Sequence, residues 1–234
     1  MSWTTGTQAE ALSANSAVGS SFASFTSAQY IGPDPTASAY LPANFFLPAY
    51  GKSKSILVKA FGVLGTTSTP NLTLGITGNT TQGTYNSSAI FATTGATAAP
   101  ASGSNMPWEL DLLISCATAG SSGTFLADGN LKIYPTVSTL INMRCSSSTA
   151  NPNTAVTIST ESAYYLELFA TFSSSSSSNN IQCYNITVLA STSRPQEVLT
   201  GGLARGQYRY LRLDEDDGRH RYVGVPAGGH VCPS

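Results

Sequence analysis

Charged side chains are scarce in this sequence. They make up 10% of the 234 residues, whereas an ordinary soluble domain has about 25%. The net charge is −1 at pH 7, so no global field attracts nucleic acid or an acidic membrane. A surface of hydroxyl and amide groups offers little charge repulsion against association. The composition therefore favours permanent protein contacts over nucleic-acid binding; a secreted or stalk-like β protein with the same serine and threonine bias is the alternative.

Long apolar runs are also missing. No stretch approaches the roughly 18 uninterrupted apolar residues that a membrane-spanning helix needs. The first residues, Met-Ser-Trp-Thr-Thr-Gly, have neither the basic nor the apolar part of a secretory signal. We therefore expect synthesis in the cytoplasm without a signal, and no membrane partner.

Residues that carry chemistry are few. The two histidines, His220 and His230, both lie in the charged C-terminal part, so a Ser-His-Asp or Cys-His site would have to join that part to the rest of the chain. With Cys232 they make a weak metal-ligand pattern. Glu109 and Asp111 share one face of a predicted strand, where carboxylates usually face solvent. We expect a non-enzymatic protein with no catalytic, cofactor-binding or metal-binding residues.

The four cysteines are widely spaced and include no C-x-x-C pair. Three of them, Cys116, Cys145 and Cys183, fall inside apolar, strand-like runs, where a free thiol behaves as a small hydrophobic side chain. We expect buried free thiols there and no disulfide framework.

Short runs of β-branched and apolar residues, bounded by Gly, Pro, Asn or Ser, follow one another from residue 53 onwards. No segment has a sustained 3.6-residue apolar period, so we expect very little helix. The predicted strands are Ser55–Gly65, Asn71–Gly78, Ser88–Thr94, Trp108–Ala117, Thr124–Tyr134, Leu140–Cys145, Ala155–Thr160, Ala163–Phe172 and Ile181–Ala190.

The fold class follows from these strands. From Trp108 to Cys116 every second residue is apolar, which predicts a strand with one face in a core. Leu166 to Phe172 repeats the pattern with a mixed second face, including Glu167 and Phe169, for which we expect a partner sheet or a neighbouring subunit as cover. The sequence predicts an all-β, two-sheet, jelly-roll-like sandwich. An immunoglobulin-like sandwich is the nearest alternative, but its Cys…Trp…Cys spacing is absent.

Composition divides the chain into three parts. Residues 1–50 are rich in Ala, Ser and Pro and predict an extended N-terminal arm. Residues 51–193 form the sandwich domain. Residues 194–234 hold 11 of the 23 charged residues and predict a C-terminal extension with a hairpin, because 207–213 and 219–225 alternate around an acidic turn. That turn lacks the ligand alternation of a calcium-binding EF-hand.

Arms at both termini are candidates for contacts between subunits. A lone hairpin is marginally stable in water and is expected to dock on a domain or another subunit. Large aromatic and arginine side chains dominate protein interfaces. The predicted interface residues are Trp3, Tyr208, Tyr210, Arg212, Arg221 and Tyr222.

Two segments resemble a known family. Residues 106–129 read MPWELDLLISCATAGSSGTFLADG, in which a strand opening on Trp108 leads through a Gly-x-x-Gly-Thr turn into a second strand. Residues 157–190 look like a continuation, two strands joined by a Ser/Asn-rich loop. Together they resemble the jelly-roll decoration (cement) proteins of tailed bacteriophages. The resemblance implies a homotrimer on the capsid surface of a virion, clamping neighbouring subunits of the major capsid protein. The arginine- and acid-rich C-terminal extension has no counterpart in that family. The proline-rich N-terminal arm is also compatible with a head-fibre or tail component.

The main alternative function is a module that binds a carbohydrate or a host receptor. Exposed aromatic side chains stack on sugar faces, and Tyr164, Tyr165 and Tyr184 are the candidates for that contact.

Overall fold

The computed structural model describes residues 8–15, 17–47, 54–192, 208–214 and 220–226. The chain forms two compact units, Met1–Pro195 and Gln196–Ser234. The strands of the first unit are β1 (Gln8–Asn15), β2 (Phe22–Ala23), β3 (Gln29–Tyr30), β4 (Ala39–Leu41), β5 (Ser55–Thr67), β6 (Asn71–Asn79), β7 (Ile90–Thr93), β8 (Thr97–Ala98), β9 (Ser102–Thr118), β10 (Thr124–Thr136), β11 (Thr139–Ser146), β12 (Val156–Thr157), β13 (Tyr164–Phe172) and β14 (Asn180–Thr192).

The predicted all-β class is confirmed, and the described residues contain no helix. Each of the nine predicted strands coincides with a strand of the structure. Two of these strands, β7 and β12, are shorter than the predictions Ser88–Thr94 and Ala155–Thr160. Alternation located strands such as β9, in which buried and exposed residues alternate, whereas β6 and β13 are buried on both faces along most of their length. No described helix is long and apolar enough to cross a membrane.

The fourteen strands of the first unit form one curled antiparallel sheet in the sandwich-like class. Its main path runs β1-β14-β5-β9-β10-β11-β7-β6-β13-β3. The long strands β5, β9 and β10 lie side by side. A single residue pair, Ser146 with Thr93, joins β11 to β7. The sheet is therefore continuous, where the sequence suggested two separate sheets.

The turn between β9 and β10 is the Gly-x-x-Gly turn of the sequence. The amide of Gly123 donates a hydrogen bond of 3.1 Å to the carbonyl of Gly120, and Gly120 has a φ of +124°, a backbone conformation that glycine adopts most readily. The turn sets the antiparallel pairing of β9 with β10, from Thr118 opposite Thr124 onwards.

One core lies inside the curl of the sheet. Trp108 is 1% exposed, and its indole Nε1 donates a hydrogen bond of 3.1 Å to the carbonyl of Val63. Phe125 contacts Phe46 and Phe91 edge-to-face, with centroids 4.8 and 4.9 Å apart. These rings connect β10 to β7 and to the segment after β4, so the core ties distant parts of the chain together.

The prediction of buried free thiols is confirmed for Cys116, Cys145 and Cys183. Burial raises the pKa of the thiols of Cys145 and Cys183 to about 12. Both side chains therefore act as neutral core groups. Cys232 lies outside the described residues.

The N-terminal segment belongs to the sheet rather than standing apart from it. β1 and β2 pair with β14, and β3 and β4 pair with β13. Between β3 and β4, residues 31–38 form a loop that reaches the loop 80–89 between β6 and β7, since Gly83 lies against Pro35. These two loops of the same chain cover the mixed face of β13, for which the sequence suggested a partner sheet or subunit.

The second unit contains β15 (Tyr208–Asp214) and β16 (His220–Pro226), which pair antiparallel. The hairpin predicted from alternation around the acidic segment is confirmed.

Candidate assembly surface

The side of the sheet opposite the core carries the strongest candidate for a contact surface. Because strand residues alternate between faces, the residues between the core positions of β5, β9 and β10 point away from the core. We call this set the outer face: Leu57, Lys59, Phe61, Glu109, Asp111, Leu113, Leu126, Asp128 and Lys132.

Strand register arranges the outer face in rows. Leu57 lies opposite Leu113, and Lys59 lies opposite Asp111. On the other side of β9, Glu109 lies opposite Lys132. Directly opposed side chains on one face are near neighbours in an antiparallel sheet. Charges therefore form a central group, with leucines in the adjoining row.

The central charges form a connected network. Lys59 Nζ lies 2.7 Å from Asp111 Oδ1. Lys132 Nζ lies 2.8 Å from Glu109 Oε1 and 3.7 Å from Asp111 Oδ2. The hydroxyl of Tyr134 donates a 2.7 Å hydrogen bond to Glu109 Oε1. Each charge is thus satisfied within one chain, without a partner.

The network fixes the protonation states of its carboxyl groups. Hydrogen bonds from Lys132 and Tyr134 hold the pKa of Glu109 below its ordinary value, and a hydrogen bond from Lys59 does the same for the pKa of Asp111. The pKa values of both carboxyl groups are lowered, whereas acid catalysis by a carboxyl pair needs one member with a raised pKa. The pair is better suited to holding the two lysines in place.

Apolar residues of the outer face lie on both sides of the network, since Phe61 lies opposite Glu109 and Leu57 lies opposite Leu113, with the Lys59–Asp111 pair between them. Phe61, Leu113 and Leu126 are 51%, 47% and 40% exposed. The ring of Phe61 stands edge-on to Tyr184 of β14, with centroids 6.4 Å apart. Exposed apolar side chains that cluster on one surface are typical of interaction sites.

A shallow depression of about 400 Å³ borders the two exposed leucines. Leu113 and Leu126 line it together with Asp128, Arg144 and Pro152. Arg144 Nε lies 2.8 Å from Asp128 Oδ1, so the charged groups at this rim also neutralise each other. The depression can accept an apolar side chain from a partner.

The structure describes the strand positions of five of the six predicted interface residues. Trp3 lies outside the described residues. Tyr208, Tyr210 and Arg212 lie on β15, while Arg221 and Tyr222 lie on β16. The register brings one predicted pair together, because Arg212 lies opposite Tyr222.

The tyrosines considered for sugar binding have different aromatic neighbours. Tyr164 packs near Phe91, Tyr165 packs against Tyr40 with the ring planes tilted by 49°, and Tyr184 packs edge-on to Phe61. Tyr164 and Tyr165 are successive residues of one strand and so point to opposite faces. The three rings do not form one platform.

Sequence reasoning missed most of the outer face. It placed Glu109 and Asp111 on a solvent-facing strand surface but did not single out Lys59, Phe61 or Leu113. For Phe61 and Leu113 the sequence does contain a signal, namely an apolar residue at the outward position of a strand in a chain with few charges. These residues can be recognised as one surface only when the strand order β5-β9-β10 is known.

No protein-family model, no curated protein and no solved structure matches the chain. The likeness to capsid decoration proteins therefore rests on the residues 106–129 and 157–190 alone.

Proposed function

We propose that this chain is a structural protein of a virion, which decorates the capsid surface as a homotrimer and stabilises it by bridging neighbouring major capsid subunits. The observation that carries the proposal is the outer face, a half-apolar sheet surface whose charges are already paired with one another. The low charge of the whole chain, 10% of its residues, and the sequence resemblance point in the same direction.

The charge network suits a surface that is buried on assembly. Removing a charge from water is costly when it has no partner. Lys59, Lys132, Glu109 and Asp111 already pair within the chain, so a partner need not supply counter-charges. The contact energy then comes from burying Phe61, Leu113 and Leu126, at about 25 cal/mol for each Å² of apolar surface.

The experiment is a binding assay with capsid shells assembled from the major capsid protein of the same genome. We expect the wild-type chain to co-sediment with the shells and to protect them from heat. A double variant, L113E/L126E, is expected to lose binding because it places two unpaired charges in the contact. The matched control is V137E, which changes a fully exposed side chain at the β10–β11 turn. Equal binding by all three proteins would refute the use of the outer face, and no binding by the wild type would refute capsid decoration.

The alternative function is a head-fibre or tail component that binds a carbohydrate or receptor. One observation favours it: Tyr40 is 50% exposed and packs against Tyr165 with ring centroids 5.2 Å apart and planes tilted by 49°, which gives a small aromatic surface. Glycan-array binding that disappears in Y40A but persists in L113E/L126E would favour this alternative over capsid decoration.

A further inference from the structure

A carboxyl group is buried without a counter-ion beneath the two loops on β13. Glu167 is 0% exposed. Its Oε2 accepts a 2.7 Å hydrogen bond from the hydroxyl of Ser38, and its Oε1 accepts a 2.7 Å hydrogen bond from the amide of Gly83. Ser38 ends the loop 31–38, and Gly83 belongs to the loop 80–89. One side chain therefore ties both loops to the sheet.

The surroundings of Glu167 contain no positive charge to stabilise its ionised form. The titratable groups on the elements packed around it are Tyr30 of β3, on which the charge of Glu167 acts, Asp34 of the loop 31–38, Tyr85 of the loop 80–89, Tyr40 of β4 and Tyr165 of β13. On the neighbouring strand β6, Thr77 lies opposite Glu167. Among the described residues, no lysine, arginine or histidine forms an ion pair with it. An ionised Glu167 would thus hold its charge in a poorly solvated site.

The energetic balance at Glu167 favours the protonated form. Burial raises its pKa from 4.5 to about 7, although the hydrogen bonds from Ser38 and Gly83 act in the opposite direction. Burial, followed by the nearby Glu167 charge, also raises the pKa of Tyr30. Asp34 behaves differently, because hydrogen bonds from Thr36 hold its pKa below the ordinary value. Among Glu167, Tyr30 and Asp34, Glu167 is the group whose pKa lies near neutral pH.

The two loops tied by Glu167 are also the walls of a cleft. The cleft has a volume of about 580 Å³, with Tyr30, Pro33 and Pro35 on one side and Gly83 and Tyr85 on the other. The ring of Tyr85 packs at a tilt of 47° against Phe169, two residues after Glu167, with centroids 4.9 Å apart. Any loosening at Glu167 would therefore change the shape of this cleft.

We propose that Glu167 is a proton-operated latch, which holds the loops 31–38 and 80–89 closed over β13 when protonated and loosens them when ionised. The protonated carboxyl donates its proton to the hydroxyl oxygen of Ser38 and still accepts the amide proton of Gly83. Loss of the proton leaves a buried negative charge. Water must then reach the carboxylate, and the loops that exclude it have to open.

The latch is tested on the full chain by NMR. Carbon-13 labelling of glutamate side chains follows the carboxyl of Glu167 directly, and the Gly83 amide reports on its hydrogen bond. We expect both signals to titrate together with a midpoint near pH 7. Amide-exchange protection in the two loops, corrected for the intrinsic pH dependence of exchange, is expected to fall by about tenfold between pH 6 and pH 8, which corresponds to about 1.4 kcal/mol.

Two variants and a control separate the latch from other effects. E167Q keeps the shape and cannot ionise, so its loops should stay protected at pH 8. S38A removes one hydrogen bond to the carboxylate and should move the Glu167 midpoint upward. E161Q changes an exposed glutamate and should behave as the wild type.

A Glu167 midpoint below pH 5 would overturn the proposal, and so would loop protection with the same pH profile in the wild type and E167Q. If E167Q does not fold, the titrations of the wild type and S38A decide the question.

Discussion

At the scale of single residues, Glu167 reverses the usual effect of a carboxyl group on stability. A salt-bridged carboxylate has a lowered pKa in the folded state, so its contribution to stability is lost as the pH falls. Glu167 has a raised pKa of about 7, so the folded state binds its proton more tightly than the unfolded state does. Its contribution is complete below pH 4.5 and is lost as the pH rises through 7.

The corresponding prediction concerns the free energy of unfolding in urea. Between pH 5 and pH 8 we expect the wild type to lose up to about 3 kcal/mol relative to E167Q, given 1.36 kcal/mol for each pH unit between the two pKa values. Because other groups titrate equally in both proteins, the difference between the two curves isolates Glu167. A constant difference between the curves would contradict the expected pH dependence.

Gly129 is a residue at which strand packing leaves no room for a side chain. It lies in β10 opposite Leu112 of β9 and Cys145 of β11. A Cβ atom there would overlap the carbonyl oxygen of Asp111 and the Cα atom of Leu112. Both are backbone atoms of a central strand, so relief requires a movement of the sheet.

We therefore expect G129A to destabilise the fold by about 1–3 kcal/mol, the usual cost of overpacking. Thermal unfolding by circular dichroism measures the loss. The matched control is G103A in β9, where the added methyl group meets the flexible side chain of Met106 instead and should cost clearly less. Equal melting temperatures for the two variants would argue against tight backbone packing at Gly129.

At the scale of elements, the sequence predicts which segments are strands better than which strands are neighbours. Alternation identified β9 and β13 because one face of each is buried against the core. Two-residue strands such as β2 and β3 have too few residues to show a period. The pairing of β5 with β9 and the contact of Ser38 with Glu167 join residues far apart in the sequence, so no local pattern encodes them. The outer face and the buried carboxyl group of Glu167 can therefore be identified only when the strand topology is known.

The hairpin of β15 and β16 forms its own sheet, separate in hydrogen bonding from the fourteen-stranded one. We predict that removing residues 196–234 leaves the melting temperature of the first unit within about 2 °C, since no strand of its sheet is lost. Differential scanning calorimetry tests this. A large drop in the melting temperature would mean that the extension is part of the folding unit. If the extension is an assembly arm, the truncated chain should also form smaller oligomers in light scattering.

At the scale of the whole molecule, the contact proposed for the outer face depends on apolar burial rather than on charge attraction. Its cations Lys59 and Lys132 and its anions Glu109 and Asp111 are paired within each chain. Salt screens attraction between exposed charges on different molecules, with a Debye length of about 10 Å at 0.1 M. An interface that uses no charge attraction between chains should therefore be insensitive to salt.

We predict that the wild-type chain co-sediments with capsid shells equally well in 0.05 M and 0.5 M sodium chloride. The variant L113E/L126E should stay unbound at both concentrations, because the added carboxylates would be buried in the contact without partners. V137E serves as the control and should bind as the wild type does at both concentrations. Release of the wild-type chain from the shells in 0.5 M salt would instead mean that charge attraction holds it there, which would contradict the use of a surface whose charges are paired within the chain.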